Sequence, residues 1–161
     1  MTKNDFYQYV LEAYRPAETL IRMVPPDKLD WRPSSKFVSL GQLICHLADG
    51  MGDAFRCLVT GQWPTLEQMK TGMKLETMPW CGVEEALSKL QEDKTILREA
   101  LDSVSEEDFA QKIVSVPWGW KAKMELMAIS FREHFTNHKM QLFTYLKLLD
   151  FPVNTETLYS G

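Results

Sequence analysis

This sequence has little histidine, little cysteine and no excess of basic charge. Its 161 residues include three histidines and three cysteines, and 18 Lys and Arg residues stand against 22 Asp and Glu residues, for a net charge of −4. Nucleic-acid binding needs a concentrated basic surface, so this balance argues against it. The cysteines, at positions 45, 57 and 81, are odd in number and lack a framework spacing, which predicts free thiols in a reducing cytoplasm.

Long apolar runs are missing as well. No stretch approaches the ~20 apolar residues that a membrane-spanning helix needs, and the first residues, Met1 to Phe6, lack the apolar core of a signal peptide. We therefore expect a cytoplasmic protein that contacts no membrane. The length of 161 residues and the hydrophobic content of 45% predict one domain, residues 1–161, with a substantial core.

Apolar residues recur at steps of three and four, which is the pattern of amphipathic helices. The pattern predicts four long helices, at about 4–24, from 40 to the linker at 61, at 83–103 and at 121–149. Pro16 predicts a kink in the first helix, and Ser39 with Gln42 forms a capping-box signature that opens the second. The predicted fold class is therefore all-α, a four-helix bundle with long connectors.

The connectors are predicted to hold little regular structure. The linker 61–82 has room for one short helical turn around Leu66–Lys70, and Ser105 begins a second brief turn. Residues 113–116 form the single extended run, followed by a turn signal at Pro117-Trp118-Gly119. Residues 153–161 are expected to be a loose tail.

The three histidines are placed so that they can meet. His134 and His138 are four residues apart, which puts both on one face of the last predicted helix, among apolar residues. His46 lies on the flank of the apolar stripe of the second helix. We predict that the three imidazoles meet inside the bundle and hold a divalent metal, since three neutral imidazoles suit Zn²⁺, Ni²⁺ or Fe²⁺ and leave a coordination position open. The alternative is a set of packed histidines bonded to backbone or water.

Other polar residues near the histidines define the chemistry less clearly. Asp49 follows His46 by three residues and is interpreted either as a group that holds an imidazole or acts as a base, or as a solvated surface carboxylate. Gln141 either lines the pocket or packs. Cys81 remains a candidate for a fourth metal ligand. The zinc-peptidase signatures are absent, because Phe135 and Asn137 stand where those motifs need glutamate.

Several segments resemble the DinB/YfiT-like superfamily of bacterial four-helix proteins. In the first half the resemblance lies in Leu29-Asp30-Trp31-Arg32-Pro33, Val38-Ser39-Leu40-Gly41-Gln42-Leu43 and His46-Leu47-Ala48-Asp49. In the second half it lies in Pro117-Trp118-Gly119, His134-x-x-x-His138 and Gln141-x-x-x-Tyr145-Leu146. Residues 1–24 and 61–104 match in helical pattern only.

The resemblance implies an up-down-down-up bundle, frequent homodimers, and a metal, commonly nickel or zinc, at His46, His134 and His138. Some members of the superfamily are thiol S-transferases that use bacillithiol or mycothiol, and others are related maleylpyruvate isomerases. The sequence departs from the family in one place. Lys139-Met140-Gln141 stands where the family often has Arg-Gly-Gln, which affects a substrate or anion contact and leaves the metal triad intact.

Three functions are compatible with these observations. The first is a metal-dependent transferase of low-molecular-weight thiols, such as bacillithiol, or a hydrolase, acting on a small molecule; the metal would depress the pKa of the bound thiol. The second is a non-enzymatic metal- or ligand-binding bundle, in which the ion ties two helices together. The third is a dimeric interaction module without metal. The open coordination position favours the first.

Overall fold

The computed structural model describes residues 1–161 and consists almost entirely of helices. The helices are α1 Lys3–Arg22, α2 Leu40–Ala48, α3 Gly52–Thr60, α4 Leu66–Gly72, α5 Val83–Asp102, α6 Glu106–Gln111, α7 Met124–Leu148 and α8 Thr155–Tyr159. Strands β1 Ile113–Ser115 and β2 Lys121–Lys123 form one antiparallel hairpin, with Val114 opposite Ala122. The predicted all-α class is confirmed.

The core lies between the long helices. Helix α1 packs against α5 and α7, α2 packs against the same two helices, and α3 packs against α5. The buried apolar side chains form one connected cluster to which every helix except α4 contributes. None of the helices combines the length and the apolar character that crossing a membrane would require.

Several predicted elements are present where the sequence placed them. Helix α1 begins with a capping box at Thr2 and continues through Pro16; the kink expected at that proline stays a prediction. Ser39 and Gln42 form the predicted capping box of α2. The short turns expected in the connectors are the helices α4 and α6.

The prediction of one continuous second helix is wrong, because α2 ends at Ala48 and α3 starts at Gly52. The break is stabilised by the buried carboxylate of Asp93, in α5. Asp93 accepts hydrogen bonds from the backbone N–H groups of Met51, Gly52 and Asp53 at 3.2, 2.8 and 3.3 Å. A helix start leaves such N–H groups without partners in its own helix, so α5 caps α3 through this side chain.

Gly52 is required at this contact. A Cβ atom at residue 52 would overlap the backbone oxygen of Asp93 and lie 2.8 Å from its Oδ1. The hydroxyl of Tyr14, in α1, donates to the other carboxylate oxygen. One buried side chain therefore joins α1, α3 and α5.

The prediction of a loose tail at 153–161 is also wrong. These residues contain α8, whose N-terminus is capped by the side chain of Asn154. Val153 and Leu158 are buried, and α8 packs on α1. The buried ammonium of Lys139 donates to the backbone oxygen of Leu158 at 2.9 Å. The tail is held by long-range contacts that its own short sequence does not reveal.

Candidate metal centre

The structure brings the three predicted histidines together. His46 lies in the last turn of α2, and His134 and His138 lie on neighbouring turns of α7, which packs against α2. One nitrogen atom from each ring lies within 4.8 Å of the other two. Nε2 of His46 and Nε2 of His134 are 3.3 Å apart. The cluster contains no cysteine or carboxylate, so Cys81 does not complete it.

The spacing of two of the nitrogens matches that of a metal site. Zinc bonds to histidine nitrogens at about 2.0–2.1 Å in tetrahedral sites, which keeps two such nitrogens about 3.3–3.4 Å apart. The separation between His46 and His134 equals that value, whereas N–H hydrogen bonds in proteins centre at about 2.9–3.0 Å. Imidazole is also a ligand that suits nickel and iron. The donor set therefore fits a divalent transition metal.

Two of the three rings, those of His46 and His134, are kept neutral, as metal ligation requires. Burial lowers the pKa of His46 to about 4, and the positive charges that His138 and His134 would carry lower it further in the same direction. The pKa of His134 is also lowered, first because its ring is removed from water in part and then by the positive charge that His138 would carry. Near pH 7 neither ring has to lose a proton before it offers a lone pair to a metal.

The site is more open than the sequence predicts. His134 is exposed, and His46 and His138 are half-buried. The rings meet as predicted, but the expectation that they meet inside the bundle is wrong. The buried side chains of α7 are Met124, Met127, Ala128, Phe135, Lys139, Leu142, Tyr145 and Leu146. Lys139 takes the core position next to His138. The cluster therefore lies at the rim of the core, where a small molecule can approach it.

A chain of hydrogen bonds orients one ring of the cluster. Nδ1 of His138 lies 3.0 Å from Oε1 of Gln141. The amide nitrogen of Gln141 donates to the hydroxyl of Tyr145 at 3.1 Å, and that hydroxyl donates to the backbone oxygen of Val38 at 3.2 Å. Because the amide nitrogen is engaged by Tyr145, Oε1 accepts the proton of Nδ1. The lone pair of His138 is thereby left on Nε2, for a metal.

This chain of hydrogen bonds also explains what the sequence reasoning missed. Residues 138, 141 and 145 are spaced by three and four, which places them on one face of α7. For Gln141 this spacing favours lining the site over packing. The link through Tyr145 to Val38, just before α2, depends on the tertiary fold.

Asp49 pairs with a lysine and not with an imidazole. Its carboxylate accepts from the ammonium of Lys89 at 3.2 and 3.4 Å and makes no hydrogen bond to an imidazole. The side chain is 43% exposed, and ion pairs this exposed contribute little to stability. A role for Asp49 as a base near the cluster stays a prediction.

The fold and the site together define a class of protein, in which three histidines from two helices converge on one point of a helical fold. The chain belongs to the DinB superfamily, whose family model matches residues 11–139. That range includes all three histidines.

Two solved structures are similar over nearly the whole chain. One is described as a member of the DinB family from Exiguobacterium sibiricum 255-15, with 20% sequence identity, a TM-score of 0.71 and 96% of each chain covered. The other is a DinB-like protein from Bacillus cereus ATCC 10987, with 14% identity, a TM-score of 0.72, and coverage of 95% of this chain and 96% of that one. At these identities the likeness shows the fold alone. No curated protein matches the sequence significantly.

Proposed function

We propose that the chain binds one divalent metal ion through His46, His134 and His138, with nickel or zinc favoured over iron. The observation that carries this proposal is the convergence of three imidazole nitrogens, from α2 and α7, within 4.8 Å. The neutral state of His46 and the orientation of His138 by Gln141 support it. The scaffold we propose is an up-down-down-up four-helix bundle made of α1, the α2–α3 pair, α5 and α7.

We further propose that the chain is a metal-dependent S-transferase of a low-molecular-weight thiol, such as bacillithiol, acting on a small molecule. When bound, the metal would lower the pKa of a coordinated thiol, so that a thiolate nucleophile exists near neutral pH. Three protein ligands leave a position for such a thiol. The exposure of His134 supports access from solvent.

The surroundings of the cluster favour thiol transfer over hydrolysis. Hydrolysis by a metal-bound water is commonly assisted by a nearby general base, and the three-histidine cluster contains no carboxylate. Asp49, the base considered from the sequence, is paired with Lys89. A thiol activated by coordination needs no such base. The homodimer and the cytoplasmic location stay predictions, which size-exclusion chromatography and cell fractionation test.

The proposal is tested with untreated purified protein. We expect elemental analysis to find about one nickel or zinc ion per chain, and we expect turnover of an electrophile with bacillithiol, mycothiol or glutathione. The variant His134→Ala should lose both the metal and the turnover. Asn137→Ala, an exposed change on the same helix, should keep both.

The possible results separate the proposed functions. Turnover that persists in His134→Ala would exclude the enzymatic proposal. A tightly bound metal with no turnover by any thiol would favour a non-enzymatic bundle in which the ion ties α2 to α7. Protein that is purified without metal and takes up none on titration would favour the interaction module.

A further inference from the structure

Two of the three cysteines are brought together outside the histidine cluster. Cys45 lies in α2, and Cys81 lies in the linker just before α5. The backbone N–H of Cys81 donates to the backbone oxygen of Gly41 at 3.4 Å, and Gly41 is one helical turn before Cys45. Side chains on a helix lean toward its N-terminus. The thiol of Cys45 therefore leans toward the turn on which Cys81 is anchored.

Tight packing fixes the linker at this place. A Cβ atom at residue 41 would overlap the indole ring of Trp80, so this ring lies directly on the backbone of α2. The contact holds Trp80, and Cys81 with it, against the helix. Both cysteines are buried, with 1% and 0% of their surfaces exposed. The pairing is thus a feature of the packed fold and not of a mobile loop.

The two thiols also influence each other's proton affinity. A hydrogen bond between them is the largest influence on both pKa values, lowering that of Cys45 and raising that of Cys81. The ammonium of Lys89 lies 3.8 Å from the sulfur of Cys45 and also pairs with Asp49. The side chains of Lys89 and Asp49 are 32% and 43% exposed. The sulfur of Cys45 therefore lies next to an ion pair that is itself partly exposed to solvent.

We propose that Cys45 and Cys81 are a redox modification site that closes to a reversible disulfide with a hydroperoxide as oxidant. One thiol attacks the peroxide, the O–O bond breaks, and a sulfenic acid and one water form. The second thiol attacks the sulfenic sulfur, the S–S bond forms, and a second water leaves. Two thiols are oxidised and one hydrogen peroxide is reduced to two waters. Because the backbone of Cys81 is already hydrogen-bonded to the helical turn before Cys45, we expect closure to need side-chain rotation and no rearrangement of the helices.

Cys57 provides the internal contrast. It lies in α3, is half-buried, and has no thiol partner. Oxidants can modify it without forming an internal bridge. The test therefore uses the full chain with the single change Cys57→Ser, which leaves the proposed pair as the only thiols.

The Cys57→Ser protein is treated with hydrogen peroxide, unfolded in the presence of an alkylating agent, and analysed by mass spectrometry. We expect a chain lighter by two hydrogens, without alkyl groups, that yields one peptide pair joined through Cys45 and Cys81. Dithiothreitol should restore two alkylatable thiols. The matched variants Cys45→Ser and Cys81→Ser, each made with Cys57→Ser, should give no internal bridge.

Three results would overturn the proposal. They are two thiols that stay open to alkylation, added oxygen atoms without a bridge, and a bridge between two chains in place of one within the chain. The folded state of the Cys57→Ser protein is checked by its thermal transition before oxidation. None of these readouts involves a metal, so failure here would leave the histidine proposal standing, and failure of that proposal would leave this one standing.

Discussion

His46 links the protonation of the candidate site to the stability of the fold. Burial lowers its pKa to about 4, whereas a free imidazole titrates at about 6.5. Below that value the unfolded chain binds a proton that the folded chain does not. Such a group stabilises the folded state above the unfolded pKa, and this stabilisation is lost as the pH falls from about 6.5 to about 4.

We therefore expect the free energy of unfolding of chelator-treated protein to fall between pH 6.5 and pH 4, with about 1–3 kcal/mol of the loss due to this ring. Urea unfolding across this range measures it. His46→Gln, which cannot titrate, should show a shallower pH dependence. A slope as steep as that of the unchanged protein would contradict this assignment.

Asp93 is a buried carboxylate in α5 that joins three helices. It accepts from three backbone N–H groups at the start of α3 and from the hydroxyl of Tyr14. Burial raises its pKa, and these hydrogen bonds oppose that rise. We expect Asp93→Ala to lower the free energy of unfolding by about 3 kcal/mol or more, since it leaves buried donors without partners.

The control for Asp93 lies on the same helix. Asp102 pairs with Arg98 one turn away and is exposed, so Asp102→Ala should change stability by about 0.5 kcal/mol or less. Chemical denaturation of both variants gives the comparison. Equal losses in the two proteins would show that Asp93 does not cap α3 in solution.

At the scale of the helices, what could be predicted follows from where the stabilising groups lie in sequence. The capping box of α2 and the apolar stripe of α5 are local, so the start of α2 and both ends of α5 could be placed within a few residues of their observed positions. The break between α2 and α3 could not, because the carboxylate that caps α3 comes 40 residues after Asp53. The same holds for α8, which depends on Lys139 and on packing against α1.

The break between α2 and α3 also gives a prediction about glycine. Gly52→Ala would force its Cβ into the backbone of Asp93, and we expect a loss of about 1–3 kcal/mol, the usual range for overpacking. Gly72 also lies in a helix, but a Cβ there meets nothing within 4 Å. Gly72→Ala should be neutral, or stabilising by up to about 1 kcal/mol. Equal effects on the thermal transitions of the two variants would argue against the close contact of α3 with α5.

At the scale of the whole molecule, the sequence was enough to predict which three histidines form the candidate site. It was not enough to predict how deeply the site lies in the fold. The spacing of His134 and His138 and the scarcity of histidine were enough to name the three rings. Their place at the rim was not predictable, because the apolar pattern cannot show that Lys139 turns inward to hold α8. The orientation of the His138 ring could not be predicted either, because the chain of hydrogen bonds that fixes it ends on Val38, in a connector far away in sequence.

A metal shared by α2 and α7 should stabilise the whole fold, because both helices contribute to the one connected core. Ligand present at 100 times its dissociation constant stabilises the folded state by about 2.7 kcal/mol, and for a chain of this size each kcal/mol raises Tm by about 2–4 °C. We therefore expect nickel or zinc to raise the Tm of chelator-treated protein by roughly 5–10 °C. Differential scanning calorimetry measures the shift. His134→Ala should abolish it and Asn137→Ala should keep it, whereas an equal shift in His134→Ala would mean that the ion binds elsewhere on the chain.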